Sequence, residues 1–174
     1  MRGTIAWLTG LSGAGKSTVA AAARDELASY GLAVDLLDAD VVRPHLAPEL
    51  GYTARDRNLN VARVAWVATR IARHGVIVFV AMISPYAEAR RLAREQAQVD
   101  GVRFLEVYVA APLEVVTARD VKGLYRRAIA GEIPNFTGVS DPYEAPAAPD
   151  LTLCTDVLTI PDSVSRLVLA VLAT

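Results

Sequence analysis

A glycine-rich segment near the N-terminus, Gly10-Leu-Ser-Gly-Ala-Gly-Lys-Ser17, constrains the fold of this chain more than any other part of its sequence. It fits the pattern G-x-x-x-x-G-K-[ST], in which backbone N–H groups surround phosphate oxygens. An apolar, strand-like segment, 4–8, precedes it, and a helical pattern over 17–30 follows it. A strand, a glycine-rich turn and a helix in this order predict a P-loop in an α/β domain.

The chemistry of nucleotide binding gives roles to individual P-loop residues. Lys16 is expected to reach the β- and γ-phosphates of a nucleoside triphosphate, and Ser17 is expected to ligate Mg²⁺. The residues predicted to bind ATP here are Gly10, Ser12, Gly13, Ala14, Gly15, Lys16, Ser17 and Thr18. A P-loop predicts a triphosphate site, but it does not identify the group that receives the phosphate.

The rest of the chain alternates between strand-like and helix-like segments. Strands are predicted at 4–8, 34–37, 76–81, 104–109 and 151–154, and helices at 17–30, 53–74, 86–98, 112–119 and 162–173. This order predicts a three-layer α/β fold, with a mostly parallel sheet and helices on both faces. The length suits a single domain, 1–174. The segment 120–149 is rich in Gly, Pro and charge, and we interpret it as a mobile lid.

Composition excludes several classes of protein. The net charge of -1 argues against a nucleic-acid partner, which would favour a basic surface. The longest apolar run, 76–83, is too short to span a bilayer, so no membrane partner is expected. The single cysteine, Cys154, excludes an intrachain disulfide and fits a reducing cytoplasm. Of the 18 basic residues only Lys16 and Lys122 are lysines, which directs attention to these two positions.

Two carboxylates follow the second predicted strand. If the chain stays extended there, Asp38 and Asp40 point the same way, at the edge of the sheet where ligands bind. One could then help to position hydrated Mg²⁺, and the other could accept a proton from an acceptor hydroxyl. The alternative is a solvated turn in which one carboxylate caps a helix.

Further polar groups suggest how an acceptor is held. Arg43, Arg57 and Asn60 suit an anionic acceptor, because Arg binds oxyanions through paired hydrogen bonds. A solvated helix face is the alternative for each arginine alone. Ser84 ends the third predicted strand, where it either contacts the acceptor or caps the next helix with Pro85 at the first helical position.

The candidates for a chain with this P-loop are a small-molecule kinase, a GTPase and an ATP-driven motor. The base-reading N-K-x-D motif of GTPases is absent, and motors usually need a larger domain. A short chain with a long charged segment favours a nucleotide or metabolite kinase.

Eight blocks of the sequence together resemble the adenylyl-sulfate kinase (APS kinase) family. In chain order they are Trp7-Leu-Thr-Gly-Leu-Ser-Gly-Ala-Gly-Lys-Ser-Thr18, Leu37-Asp-Ala-Asp40 with Arg43, Asp56-Arg57 with Asn60, Ile83-Ser-Pro85, Arg119-Asp-Val-Lys-Gly-Leu-Tyr125, Gly131-Glu-Ile133, Phe136-Thr-Gly138 and Tyr143-Glu-Ala-Pro146. The resemblance covers nearly the whole chain. It implies ATP- and Mg²⁺-dependent phosphorylation of the 3′-hydroxyl of adenosine 5′-phosphosulfate (APS), which gives PAPS for sulfate assimilation or sulfotransfer. A homodimer is also implied.

The resemblance also implies roles for residues on the acceptor side. Arg43, Arg57 and Asn60 would contact the phosphosulfate group, and Phe136 would stack on the adenine opposite Tyr52. The matching blocks add Ile83, Ser84 and Gly138 to the substrate-binding set.

On the catalytic side, Asp40 would orient or deprotonate the 3′-hydroxyl, and Asp38 would support Mg²⁺ or the substrate. Arg119 would lie near the ATP base, and Lys122 would meet phosphate charge when the lid closes. Ser84 matches a serine traditionally described as a phosphoserine intermediate, but direct in-line transfer is the mechanism we favour.

The sequence departs from the family pattern at several positions. Ala39 stands in place of Gly, Val41 in place of Asn, and Tyr52 in place of Phe. Two other functions are kept as alternatives. One is a P-loop kinase for another small nucleoside or sugar-acid acceptor, and the other is a non-catalytic nucleotide-binding module.

Overall fold

A computed structural model describes residues 3–173, which form one parallel five-stranded sheet with helices on both faces. The strands are β1 (Thr4–Thr9), β2 (Val34–Asp38), β3 (Ile77–Ala81), β4 (Arg103–Ala110) and β5 (Leu151–Cys154). They lie in the order β2-β3-β1-β4-β5, and every neighbouring pair is parallel. The predicted fold class is therefore confirmed.

Seven helices connect and cover the strands. They are α1 (Lys16–Ser29), α2 (Ala39–Leu46), α3 (Ala54–Ala72), α4 (Ala87–Val99), α5 (Leu113–Arg119), α6 (Leu124–Ile129) and α7 (Ile160–Leu172). Thr53 caps α3, as the sequence predicts, by accepting a hydrogen bond from the backbone of Asp56. No helix within residues 3–173 is both long enough and apolar enough to cross a membrane.

The core has two layers because successive side chains of a strand point to opposite faces. In β1, Ala6 and Leu8 pack in the layer formed with α1 and α7, whereas Ile5 and Trp7 pack in the layer formed with α3 and α4. All six residues of β1 are buried. The strand that precedes the P-loop is therefore held from both sides, which fixes the position of the turn that follows it.

Two short helices were not predicted. Helix α2 contains two β-branched residues and Pro44, a composition that weakens any helical signal. Helix α6 falls inside 120–149, which looked irregular throughout. At the start of each helix, a carboxylate accepts hydrogen bonds from backbone N–H groups. This carboxylate belongs to Asp38 for α2 and to Asp120 for α6. The predicted positions of the other helices and the strands agree with the structure to within two residues at each end.

Candidate active site

The P-loop lies at the carboxyl edge of the sheet, between β1 and α1. Gly15, with φ 99°, precedes the first residue of α1, and Gly13, with φ 75°, also takes the left-handed conformation. Gly10 has a different role: a Cβ atom there would lie 2.4 Å from the carbonyl oxygen of Val109. That glycine is needed because β4 passes close to the turn.

The ammonium of Lys16 is folded back onto the P-loop. Its Nζ donates hydrogen bonds to the carbonyl oxygens of Gly10, at 2.9 Å, and Leu11, at 2.7 Å. Burial lowers the pKa of Lys16 to about 8, although the nearby carboxylates of Asp40 and Asp38 act in the opposite direction. The P-loop thus holds a desolvated cation at the place where a phosphate would bind.

A cavity of about 540 Å³ opens in front of the P-loop, and it brings together most of the predicted site residues. Those that line it are Ser12, Gly13, Gly15, Lys16, Ser17, Thr18, Asp38, Asp40, Arg43, Tyr52, Arg57, Asn60, Ile83, Ser84, Lys122 and Phe136. Residues from the phosphate side and from the acceptor side therefore share one space.

Four predicted site residues do not line this cavity. Gly10 lies beneath the turn, and Ala14 is fully buried in the core. Arg119 bridges the carbonyl oxygens of Gly13 and Thr155, at 3.4 and 2.6 Å. Gly138 lines a separate groove with Leu11, and a Cβ atom at position 138 would lie 3.0 Å from Cδ2 of that leucine. The position of Gly138 in this groove therefore argues against a direct contact with the substrate.

The segment after β2 is not extended, so the condition on which Asp38 and Asp40 were expected to point the same way is not met, and the alternative, in which one carboxylate caps a helix, is what the structure shows. Asp38 caps α2 by accepting a hydrogen bond from the backbone of Asp40 at 2.9 Å. Asp40 lies in the first turn of the helix and forms an ion pair with Lys122. The helix turns the chain, yet both carboxylates still line the cavity.

Two arginines surround the ring of Tyr52. The guanidinium carbons of Arg43 and Arg57 lie 4.3 and 5.5 Å from its ring centroid. Arg57 also donates to the backbone oxygens of Tyr52, at 3.0 Å, and Asn135, at 2.6 Å. The acceptor side thus combines positive charge with an aromatic face.

Ser84 is not a helix cap, which corrects the structural alternative considered from sequence. Tyr86 precedes the first residue of α4, and Ser84 takes the left-handed conformation with φ 40°. Its buried hydroxyl accepts a hydrogen bond from Nε1 of Trp7 at 2.9 Å and donates to the carbonyl oxygen of Met82 at 3.3 Å. The serine therefore has both of its hydrogen-bonding roles filled within the protein.

Comparison with known proteins gives the family. The family model described as adenylylsulphate kinase matches residues 2–154. The adenylyl-sulfate kinase of Deinococcus deserti is 55% identical over 165 residues, covering 95% of this chain and 89% of that protein. That of Myxococcus xanthus is 56% identical over 158 residues, covering 91% and 85%.

This chain belongs to the adenylylsulphate kinase family. Among solved structures, the Mycobacterium tuberculosis APS kinase CysC in complex with AMPPNP and APS superposes with a TM-score of 0.96 at 41% identity, covering 99% of each chain. A gluconokinase from Sinorhizobium meliloti, at 16% identity and a TM-score of 0.59, shares the fold alone. The resemblance identified from the sequence blocks is confirmed.

Sequence reasoning missed two side chains that support the site of this APS kinase family member. Arg90 is buried and donates to the carbonyl oxygens of Ser84 and Glu144 and to the Glu106 carboxylate, each at 2.7 Å. It fixes the turn that carries Ser84. A charged residue beside the alanines at the buried positions of α4 is the signal that could have revealed it.

Tyr125 is the second missed residue. Its ring meets that of Phe136 edge-on, with centroids 5.0 Å apart, and its hydroxyl donates to the carbonyl oxygen of Ser12 at 2.9 Å. Burial raises the pKa of Tyr125 to about 12, so the hydroxyl stays protonated and remains a donor. Tyr125 therefore connects the P-loop to the acceptor side of the cavity.

Proposed function

We propose that this chain is an adenylyl-sulfate kinase that transfers the γ-phosphate of ATP to the 3′-hydroxyl of APS, giving PAPS. The observation that carries the proposal is the single cavity shared by a P-loop and by an arginine-rich, aromatic acceptor side. The Mycobacterium tuberculosis relative, whose structure was solved with AMPPNP and APS, supports the same pairing of substrates.

ATP would bind with its phosphates against the P-loop. The backbone N–H groups of residues 13–18 and the start of α1 provide hydrogen bonds and partial positive charge. Lys16 would leave the carbonyl oxygens of Gly10 and Leu11 and bind the β- and γ-phosphates. Arg119, held at the carbonyl oxygens of Gly13 and Thr155, lies beside the P-loop, where it is proposed to meet the ATP base.

Mg²⁺ is proposed as the cofactor, with the hydroxyl of Ser17 and the carboxylate of Asp38 as the residues that would hold it. No group of three or more His, Cys, Asp or Glu side chains that could hold a metal ion occurs among residues 3–173, so the protein would supply few ligands. Mg²⁺ suits a site of this kind because it keeps several waters and is also bound by substrate phosphates. When bound, the ion neutralises charge on the phosphates. Ser17 and Asp38 both line the cavity, as this role requires.

APS would occupy the other half of the cavity. Arg43, Arg57 and Asn60 are proposed to hold its phosphosulfate group, since guanidinium groups bind oxyanions in pairs. Tyr52 and Phe136 would enclose the adenine, with Tyr52 already backed by two guanidinium groups and Phe136 by the ring of Tyr125. Ile83 adds a contact from the end of β3.

In the transfer step, the 3′-oxygen of APS forms a bond to the γ-phosphorus, and the bond from that phosphorus to the β,γ-bridging oxygen breaks. ADP leaves with the electron pair, and the hydroxyl proton passes to the carboxylate of Asp40. Lys122, now paired with Asp40, would turn to the transferring phosphate. The reaction needs positioning and charge neutralisation, which these residues supply without a covalent intermediate.

Direct transfer is favoured over a phosphoserine at Ser84. Ser84 is 2% exposed, and its hydroxyl already accepts a hydrogen bond from Trp7 and donates one to Met82. Acting as a nucleophile would cost the hydroxyl its proton, and with it the hydrogen bond to Met82, at a turn held by Arg90. We propose that the backbone and hydroxyl of Ser84 shape the acceptor pocket instead.

The function is tested by incubating the purified protein with MgATP and APS and measuring PAPS and ADP. Equal amounts of the two products are expected, with no phosphoserine detected by mass spectrometry during turnover. Gluconate and adenosine serve as control acceptors. Phosphorylation of either control in preference to APS would overturn the proposed substrate.

We further propose a homodimer that acts in the cytoplasm and supplies PAPS for sulfate assimilation or sulfotransfer. The hexameric APS kinase from Thiobacillus denitrificans, of whose chain this protein covers 28%, supports self-association. The mass of the protein in solution, measured by light scattering, tests the dimer.

A further inference from the structure

Two buried polar atoms that face no protein partner belong to residues lining the same cavity. Among residues 3–173, four buried side-chain oxygen atoms lack a hydrogen-bond partner, on Asn60, Thr69, Thr137 and Ser163. Asn60 and Thr137 line the cavity, whereas Thr69 and Ser163 do not. Asn60 is already proposed to bind the acceptor, but Thr137 has no assigned role.

The unpaired hydroxyl of Thr137 lowers the stability of the ligand-free protein. Thr137 is 2% exposed, so water does not compensate its Oγ1. Burying a hydroxyl without a partner costs free energy, and valine would fill the same volume with no such loss. An unpaired polar group at the wall of a binding cavity is explained when the ligand supplies the missing partner.

The backbone around Thr137 is held firmly, so the hydroxyl is preorganised. The carbonyl oxygen of Phe136 accepts from the N–H groups of Val139, at 3.0 Å, and Ser140, at 3.0 Å. In return, Oγ of Ser140 accepts from the N–H of Phe136 at 2.9 Å. Thr137 itself forms a β-bridge with Asp141. A group fixed in this way loses little entropy when it binds.

The position of Thr137 assigns it to the acceptor rather than to ATP. It follows Phe136, the ring proposed to stack on the adenine of APS, and Asn135, whose carbonyl oxygen accepts from Arg57 on the acceptor side. The other unpaired atom of the cavity, Oδ1 of Asn60, lies on the same helix as Arg57.

We infer that Oγ1 of Thr137 hydrogen-bonds the nucleoside part of APS and is a specificity-determining contact for the acceptor. The inference rests on the proposed function, since it needs APS in this half of the cavity. A hydroxyl both donates and accepts, so it can pair with a ring nitrogen, an amino group or a ribose oxygen. It would act beside the stacking rings, which recognise an aromatic face but not its polar edge.

The test compares Thr137→Val, Thr137→Ser and Thr137→Ala with the wild type and with Thr69→Val. Thr69→Val is the matched control, because Thr69 is also buried and unpaired but lies in α3 outside the cavity. We expect Thr137→Val to raise KM for APS about three- to tenfold and to leave KM for ATP unchanged. This rise corresponds to the loss of one hydrogen bond. Thr137→Ser should restore KM for APS to within twofold of wild type, a rough margin for a retained hydroxyl.

The melting temperature separates binding from folding. Thr137→Val and Thr69→Val should each melt no lower than wild type, because neither loses a hydrogen bond within the protein. If Thr137→Val fails to fold, Thr137→Ala should show the same selective rise in KM for APS. An unchanged KM for APS, or an equal rise in both KM values, would overturn the inference. Failure of the wild type to convert APS would instead overturn the proposed function.

Discussion

Asp40 illustrates how a single side chain can serve two states of the protein. Its carboxylate pairs with Lys122 in the structure and lines the cavity with Lys16. In the proposed reaction the same carboxylate takes the proton of the 3′-hydroxyl. The ion pair is exposed on both sides, so it contributes little to stability and is easily exchanged for a phosphate contact.

We expect Asp40→Asn to lower kcat by about 10²- to 10⁴-fold, the usual contribution of a general base. The amide keeps the size of the side chain but cannot accept the proton. The dissociation constant for MgATP, measured by calorimetry, should stay within about threefold of wild type. Asp35→Asn in β2 is the control, since Asp35 is exposed and away from the cavity. A kcat near that of wild type would remove Asp40 from the chemistry.

Lys16 leads to a prediction about pH. Burial lowers its pKa to about 8 in the ligand-free protein, whereas phosphate contact favours the charged form and raises the pKa. Below pH 8 the ammonium is already charged, so the affinity for MgATP should be flat. Above pH 8 a proton must be taken up on binding, so the affinity should fall as pH rises.

Calorimetry between about pH 7.5 and 9.5, in buffers of different ionisation enthalpy, measures both effects. At pH 8.5 we expect proton uptake of more than about half a proton per ATP bound, because most Lys16 would be neutral before binding. A pH-independent affinity with no proton uptake would contradict this assignment.

At the scale of elements, the two helices that the sequence did not predict account for the largest difference between the expected and the observed geometry of the site. The sequence predicted the sheet because buried strands and amphipathic helices leave strong periodic patterns. Helices α2 and α6 are short, and their starts depend on Asp38 and Asp120 rather than on periodicity. For this reason the segment that holds Asp38 and Asp40 is helical rather than extended, and Asp38 takes the helix-capping role that the sequence offered as the alternative.

Helix α6 should depend on Asp120. The Asp120 carboxylate accepts from the N–H groups of Tyr125, at 2.9 Å, and Arg126, at 3.1 Å. We expect Asp120→Ala to destabilise the helix by about 1 kcal/mol. Amide hydrogen exchange of Leu124–Ile129 should then be about fivefold faster, a difference of roughly 1 kcal/mol in local opening.

Asp156→Ala, an exposed carboxylate outside the 120–149 segment, is the control for that exchange experiment. Because Tyr125 backs Phe136, KM for APS should also rise in Asp120→Ala. Unchanged exchange across α6 would show that the helix forms without this cap.

Across the whole molecule, the cavity is built from segments far apart in the sequence. It takes residues from the P-loop, from α2 and α3, from the end of β3 and from 120–137. In most of these segments, sequence motifs could predict which residues belong to the site. Partners such as Trp7 with Ser84 or Arg90 with Glu106 could not, because they depend on which strands and helices become neighbours.

A ligand that contacts all of these segments should bind the folded chain and not the unfolded one. We expect the ATP analogue MgAMPPNP, at 100 times its dissociation constant, to add about 2.7 kcal/mol to the free energy of unfolding. For a chain of this size that corresponds to a rise of roughly 5–11 °C in Tm by calorimetry. Inorganic phosphate at the same concentration is the control. A rise below about 1 °C would show that the cavity does not hold the nucleotide as proposed.

The hydrogen bond between Trp7 and Ser84 also has an optical consequence. The chain has two tryptophans: Trp7 is fully buried under the acceptor pocket, and Trp66 is 57% exposed on α3. A buried indole emits fluorescence at a shorter wavelength than one in water, so Trp7 and Trp66 differ in emission wavelength. Replacing Trp66 by Phe would leave Trp7 as the single tryptophan, beneath the turn that carries Ser84. The protein thus carries its own label for following substrate arrival in real time.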